Sequence, residues 1–144
     1  MTKEFSAGGI VFRKKGETTE WLLAQHSQHK GWVFPKGLIG DNIKGEKSEE
    51  TAIREVEEET GVKGKLIIKL QKPATYFYVW KGEKRFKTVS YFLMRYVSGD
   101  TKNHDFEMCD VEWLPTDKVL DRLTYKSDRM AFGQALEHFK NLPS

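Results

Sequence analysis

Three glutamates, Glu55, Glu58 and Glu59, occupy positions i, i+3 and i+4 of one short segment. At about 100° per residue in a helix, they share roughly a 100° arc of one face. Like charges at that spacing repel one another. A hard divalent cation relieves the repulsion, and magnesium takes oxygen ligands of this kind. The alternative is a solvated acidic face, because glutamate is a good helix former. The neighbouring residues support a helix over 49–60. Ser48 suits the N-cap, Glu49 and Glu50 then fall in the first turn, and Gly61 suits the C′ position. Ala52, Ile53, Val56 and Thr60 supply a stripe to bury, while Glu57 points away from Glu55 and Glu59.

A wider pattern surrounds the acids. Gly40, Glu46, Arg54, Glu55, Val56, Glu58, Glu59, Gly61 and Val62 match Gly-x5-Glu-x7-Arg-Glu-apolar-x-Glu-Glu-x-Gly-apolar. On that pattern the chain resembles the Nudix hydrolases. The resemblance implies an α+β (mixed α/β) fold, an α/β/α sandwich with a mixed, curved sheet between helices. It also implies magnesium, or manganese in its place, held by Glu55, Glu58 and Glu59. Arg54 would orient these carboxylates by ion pairing, Glu55 or Glu58 would be the base, and Glu46 would hydrogen-bond at the entry to the helix or reach a metal through water. In many members the glycine of Pro-Lys-Gly is itself the first glycine of the pattern. Here Gly37 and Gly40 are separate, so the loop between Gly37 and Glu46 is expected to be about three residues longer.

The chain of 144 residues is expected to form one domain over 1–144, large enough for a proper core. A net charge of +3 suits an anionic substrate but does not mark a DNA-binding protein. The one cysteine, Cys109, excludes an internal disulfide and is expected to pack in the interior. No apolar run reaches the length of a membrane span, and Met1 to Phe5 lacks the apolar core of a signal peptide, so a cytoplasmic monomer is expected. Strands are predicted over 5–13, 21–26, 32–34, 65–71, 74–80, 85–97 and 112–114, with the 74–80 and 85–97 pair forming a hairpin turned at Lys81 to Lys84. Pro35-Lys36-Gly37 opens a loop. Helices are predicted over 115–123 and 128–141, the last burying Met130, Leu136 and Phe139 in some combination.

The remaining sequence resembles a narrower group of the family, the asymmetrically cleaving diadenosine tetraphosphate hydrolases. The matching residues are Glu4 to Gly9, Trp32 to Gly37, Thr60 to Gly64, and Tyr76 to Tyr78 with Lys81 to Val89. The resemblance implies hydrolysis of diadenosine tetraphosphate to ATP and AMP. It makes Lys36 a phosphate ligand, Tyr125 a second stacking residue, and Glu107 a late-loop metal ligand or base, with Asp110 and Glu112 as alternatives. Tyr76, Tyr78 and Trp80 alternate onto one strand face on which adenine could stack, with Lys81, Lys84, Arg85 and Lys87 near the turn to meet phosphates. An ordinary aromatic ladder guarded by lysines would look the same. The partners implied are a small dinucleoside polyphosphate or nucleotide, not DNA and not a membrane. Alternatives are an RNA 5′ end, ADP-ribose, an oxidised nucleotide, a diphosphoinositol polyphosphate, or a sensor without catalysis.

Overall fold

The computed structural model describes residues 1–40 and 43–143. The strands are β1 (Thr2–Lys15), β2 (Thr18–His26), β3 (Trp32–Val33), β4 (Lys36–Leu38), β5 (Val62–Lys69), β6 (Ala74–Trp80), β7 (Glu83–Gly99) and β8 (Met108–Pro115). The helices are α1 (Ser48–Thr60), α2 (Thr116–Arg122) and α3 (Lys126–Lys140). All eight strands form one sheet, in the order β3-β2-β1-β7-β5, with β4 beside β1, β6 beside β7 and β8 beside β2. β1 and β7 run parallel from Thr2↔Arg85 to Phe12↔Arg95, and the other pairs are antiparallel. No helix among the described residues is long and apolar enough to cross a membrane.

β1 explains the layering. From Ser6 to Phe12 every residue is buried, so both faces of this strand are covered. Ile10 and Phe12 point to one core with Trp21, Leu23, Phe34, Tyr91, Leu93 and Phe132. Ala7 and Val11 point to the other, with Leu22, Val56, Phe92 and Met94. α1 covers the second core through Ala52 and Val56, and α3 covers the first through Ala131, Phe132 and Ala135. The sheet lies between helices, as the α+β sandwich expected from the sequence requires.

Several local expectations change. α1 starts at Ser48, with Lys47 at the N-cap, because Glu50 accepts from the Lys47 backbone N–H at 3.0 Å, half of a capping box. The Ser48 hydroxyl donates to Glu49 instead. Pro35-Lys36-Gly37 is not simply a loop: β4 pairs with β1 through Ser6↔Leu38, Ala7↔Gly37 and Gly8↔Lys36. The hairpin turn is tighter than expected. Trp80 pairs with Glu83, leaving Lys81 and Gly82 as a two-residue turn with φ of 49° and 75°. Met130 is 63% exposed, because Phe132 and Phe139 pack edge-on against Trp21 and so set the rotation of α3. Cys109 is exposed rather than packed. It is skipped where the register shifts between Gln25↔Asp110 and His26↔Met108, so it bulges from β8. The longer loop expected before Glu46 includes Asp41 and Asn42, which lie outside the described residues.

Gly8 sits where three strands crowd. A Cβ there would stand 2.2 Å from the Pro35 carbonyl oxygen, 2.8 Å from Lys36 Cβ and 2.9 Å from a Tyr91 ring carbon. Two of those contacts are close to fixed backbone, so the strands must move apart. Gly8→Ala is expected to destabilise the fold by about 1–3 kcal/mol in urea denaturation. An unchanged midpoint would show that β4 yields freely.

Candidate active site

α1 delivers its carboxylates to a cleft of about 1080 Å³ floored by the sheet. Glu55, Glu58 and Glu59 all line it, as their shared helix face predicts. A solvated acidic face does not describe them: Glu55 is 6% and Glu59 3% exposed, although the Glu58 side chain is 42% exposed. Glu57 is exposed and is not among the lining residues. Gly37 on β4 makes room for Glu55, since a Cβ there would lie 2.1–2.4 Å from the carboxyl atoms of Glu55. The Lys36 backbone N–H donates to Glu59 at 3.3 Å.

Arg54 ties these groups together. Its Nε and Nη2 donate to the two oxygens of Glu46, both at 2.8 Å, a bidentate pair. Its Nη1 donates to Glu55 at 3.0 Å and to Glu58 at 2.8 and 3.1 Å. Glu46 also accepts from the Thr51 hydroxyl at 2.7 Å and from the Gly40 backbone N–H. Gly40 has φ of 73°, a conformation that glycine adopts without strain. The two glycines thus divide the work: Gly37 admits Glu55, and Gly40 turns the chain to serve Glu46. The hydrogen bonds from Arg54, helped by the Thr51 hydroxyl, lower the Glu46 pKa to about 2. Hydrogen bonds to Glu46 and Glu58 raise that of Arg54.

Among the described residues, no three acidic, histidine or cysteine side chains stand converged for a metal ion; Glu55 and Glu58 are turned onto Arg54. The donor set nevertheless fits a hard cation. It consists of carboxylates, and the buried Glu59 carboxyl is pushed well above its ordinary pKa, first by desolvation and then by Glu55 and Glu107, against the pull of Lys36. A divalent cation would relieve that crowding.

The opposite wall is cationic and aromatic. Lys36 lies deep in the cleft. Burial works against its charge, but Tyr76, Asp128 and Glu59 outweigh burial and raise its pKa. Lys87 also lines the cleft, and burial followed by repulsion from Lys36 lowers its pKa. Tyr76 and Tyr78 line one flank with ring centroids 6.3 Å apart, and the Lys87 ammonium is 5.4 Å from the Tyr78 ring. The Tyr78 hydroxyl donates to Glu4, and burial with that contact pushes its pKa up to about 12. Arg85 and Lys81 are not among the lining residues. Arg85 is drawn to Glu4 at 3.2 Å, and the Lys81 ammonium rests 5.2 Å from the Trp80 ring at the hairpin tip.

Tyr125 lines the cleft, its hydroxyl 3.0 Å from His29 Nδ1. His29 stacks on His26 at 4.2 Å, and burial lowers both histidine pKa values. Glu107 lines the cleft on the loop before β8, where its N–H donates to Asp105 at 3.1 Å. Of the two alternatives, Glu112 pairs with Arg122 at 3.2 Å, and neither Glu112 nor Asp110 is a lining residue. His26, His29, Asp105 and Asp128 also line the site, and sequence reasoning missed them. Their partners are distant in the chain, and no helical or strand spacing marks them.

A family model described as the NUDIX domain matches residues 2–133. The chain is 40% identical over 113 residues to MutT4 of Mycobacterium tuberculosis, covering 78% of the chain and 44% of that protein. It is 29% identical over 136 residues to the 8-oxo-(d)GTP phosphatase of Mycolicibacterium smegmatis, covering 86% of the chain and 38% of that protein. The chain therefore spans less than half the length of these relatives. Among solved structures, a C. elegans Ap4A hydrolase binary complex superposes with a TM-score of 0.74 at 23% identity, over 96% of this chain and 99% of that one. The NUDIX domain of Shewanella oneidensis NrtR with ADP ribose superposes with a TM-score of 0.73 at 22% identity, over 96% and 90%. These two likenesses are likenesses of fold.

The Glu46 pKa is lowered in the folded chain, so its contribution to stability is fully present above about pH 4.5 and is lost as pH falls toward 2. Glu46→Gln is expected to lower the melting temperature near neutrality and to flatten its fall between pH 4.5 and 2. Parallel melting curves of variant and wild type across that range would remove the Arg54–Glu46 pair from the account of acid stability.

Proposed function

The chain belongs to the NUDIX family, and from that premise we propose that it hydrolyses diadenosine tetraphosphate to ATP and AMP by attack of water at phosphorus. The coarser activity, hydrolysis of nucleotide phosphates, is the family's. The finer reading is supported by one observation above all: a single cleft contains two separate ring clusters, and Lys36 interacts with a tyrosine of each, Tyr76 and Tyr125. Tyr76 and Tyr78 come from β6, His26 and His29 from the end of β2 and the turn after it, and Tyr125 from just before α3. In the sheet, β2 and β6 are separated by β1 and β7. Lys36 stands on β4 and Lys87 on β7. That arrangement suits a substrate with a base at each end and phosphates in the middle.

A magnesium ion, or manganese in its place, held by Glu55, Glu58 and Glu59 would neutralise phosphate charge and acidify the attacking water. Arg54 keeps Glu55 and Glu58 aimed by charge-assisted hydrogen bonds. Glu107, Glu58 or Glu55 accepts the proton as water adds to phosphorus and the bridging phosphoanhydride bond breaks toward the leaving nucleotide. Lys36 and Lys87 bind the phosphoryl oxygens. Tyr76, Tyr78 and Tyr125 stack the bases.

A second reading has its own support. The identities to MutT4 and to an 8-oxo-(d)GTP phosphatase favour an oxidised guanine nucleotide, which would fill only one ring cluster. Product analysis with magnesium separates the two. Diadenosine tetraphosphate, 8-oxo-dGTP, ADP-ribose and a 5′-triphosphate RNA are offered in parallel. ATP plus AMP from the first, at the highest rate, is the expected result, and faster turnover of 8-oxo-dGTP favours the second reading. Glu58→Gln is expected to slow turnover by about a hundredfold or more. A rate equal to wild type would take Glu58 out of the catalytic set.

A further inference from the structure

Asp128 has no part in the chemistry above, yet it is a carboxylate only 4% exposed that borders the cleft. Burying a charge is costly unless it is paired. Its surroundings offer two positive groups and one hydroxyl. The Tyr91 hydroxyl donates to its Oδ1 at 3.0 Å. Lys36 and Arg129 attract it, Lys36 more strongly. Arg129 is partly engaged elsewhere, because its Nη1 donates to the Leu123 carbonyl at 2.7 Å.

The sheet register shows why Lys36 is the partner. Gly8 on β1 pairs with Lys36 on one side and Tyr91 on the other, so both side chains rise from the same face in one row. With hydrogen in place of a side chain between them, the two approach over Gly8; a Cβ there would meet both at under 3 Å. Tyr91 carries the hydroxyl that holds Asp128, and Asp128 stands in the first turn of α3, above the same row. Tyr76 hydrogen-bonds the Lys36 side chain from the adjoining flank. Lys36 is thereby attracted by Asp128 from α3 and hydrogen-bonded by Tyr76 from β6.

We propose that Asp128 is a positioning residue, which fixes the Lys36 ammonium from α3 so that it meets the substrate phosphates in one place. A lysine side chain has four rotatable bonds and loses much entropy when ordered. An ammonium drawn to one place by a buried carboxylate meets part of that cost before substrate arrives. Asp128 therefore acts on phosphate binding through Lys36, and has no effect where Lys36 is absent. The inference rests on Lys36 being a phosphate ligand.

The test is a double-mutant cycle on the full chain, read as the Kd of methylenediphosphonate, a non-hydrolysable diphosphate, with magnesium by calorimetry. Lys36→Met and Asp128→Asn are each expected to weaken binding by about tenfold. The double variant is expected to bind no more weakly than Lys36→Met alone, and Asp128→Glu, which keeps the charge, to recover most of the loss. Multiplying losses in the double variant, or equal losses in Asp128→Asn and Asp128→Glu, would overturn the role of Asp128 and leave Lys36 as a ligand. Wild-type affinity in Lys36→Met would overturn Lys36 as a phosphate ligand and the positioning role with it. A measurement on the wild type guards against a variant that fails to fold. Two resolved Hε resonances for Lys36 in the NMR spectrum are expected from a fixed ammonium, and a single averaged resonance would refute the positioning role.

Discussion

One guanidinium against three carboxylates is the interaction on which this molecule turns. Arg54 bonds Glu46, Glu55 and Glu58 at 2.8–3.1 Å, and Glu46 is in turn bound by Thr51 and Gly40. Exposed ion pairs contribute little to stability. This one differs because the Arg54 and Glu46 side chains are only 16% and 4% exposed, and the Arg54–Glu46 contact is bidentate. The network fixes the loop entering α1 to the body of the helix. It therefore fixes which way the acidic face looks, and without it the like charges of Glu55, Glu58 and Glu59 would push the helix face apart.

The second constraint is close approach of backbones. Gly8 lets β4 lie against β1 beside Tyr91, and Gly37 lets Glu55 lie against β4. A side chain at either would separate the sheet from α1 or from β4, and the cleft floor would lose Lys36 or Glu55. Both glycines precede chemistry: they contribute no polar group, yet the distances between charged groups follow from them.

Much of this was legible in the sequence where the signal is local. The i, i+3, i+4 acids marked the helix face, because helical period is a short-range property, whereas the turn that Gly40 makes for Glu46 was not predicted. The strands of the core were recognisable, though β1 and β7 run further than their apolar residues suggest: pairing with β7 and β2 carries β1 from Thr2 to Lys15, and pairing with β6 and β5 carries β7 from Glu83 to Gly99. β4 was hidden because three residues have no period to detect. Asp128 was hidden because its partners, Lys36 and Tyr91, lie on other elements. Lys81 and Arg85 look suitable on the hairpin, but strand alternation does not say how far along a hairpin the cleft extends. Nor does it say that Glu4, on the neighbouring strand β1, binds Arg85.

The charges of the cleft are arranged in opposition. On the α1 side, Glu55 and Glu107 repel the buried Glu59 carboxylate. On the sheet side, Lys36 and Lys87 repel, and Lys87 feels it most. A cation alone would relieve the first strain and a phosphate chain alone the second. On the proposed function, a magnesium-bound polyphosphate would relieve both at once. The folded chain thus holds acidic and basic groups that line one cleft, a complement to a ligand carrying both signs of charge. On the same proposal, selectivity among nucleotides would fall to the ring clusters at the two flanks, because the phosphate chemistry between them would be common to all such substrates.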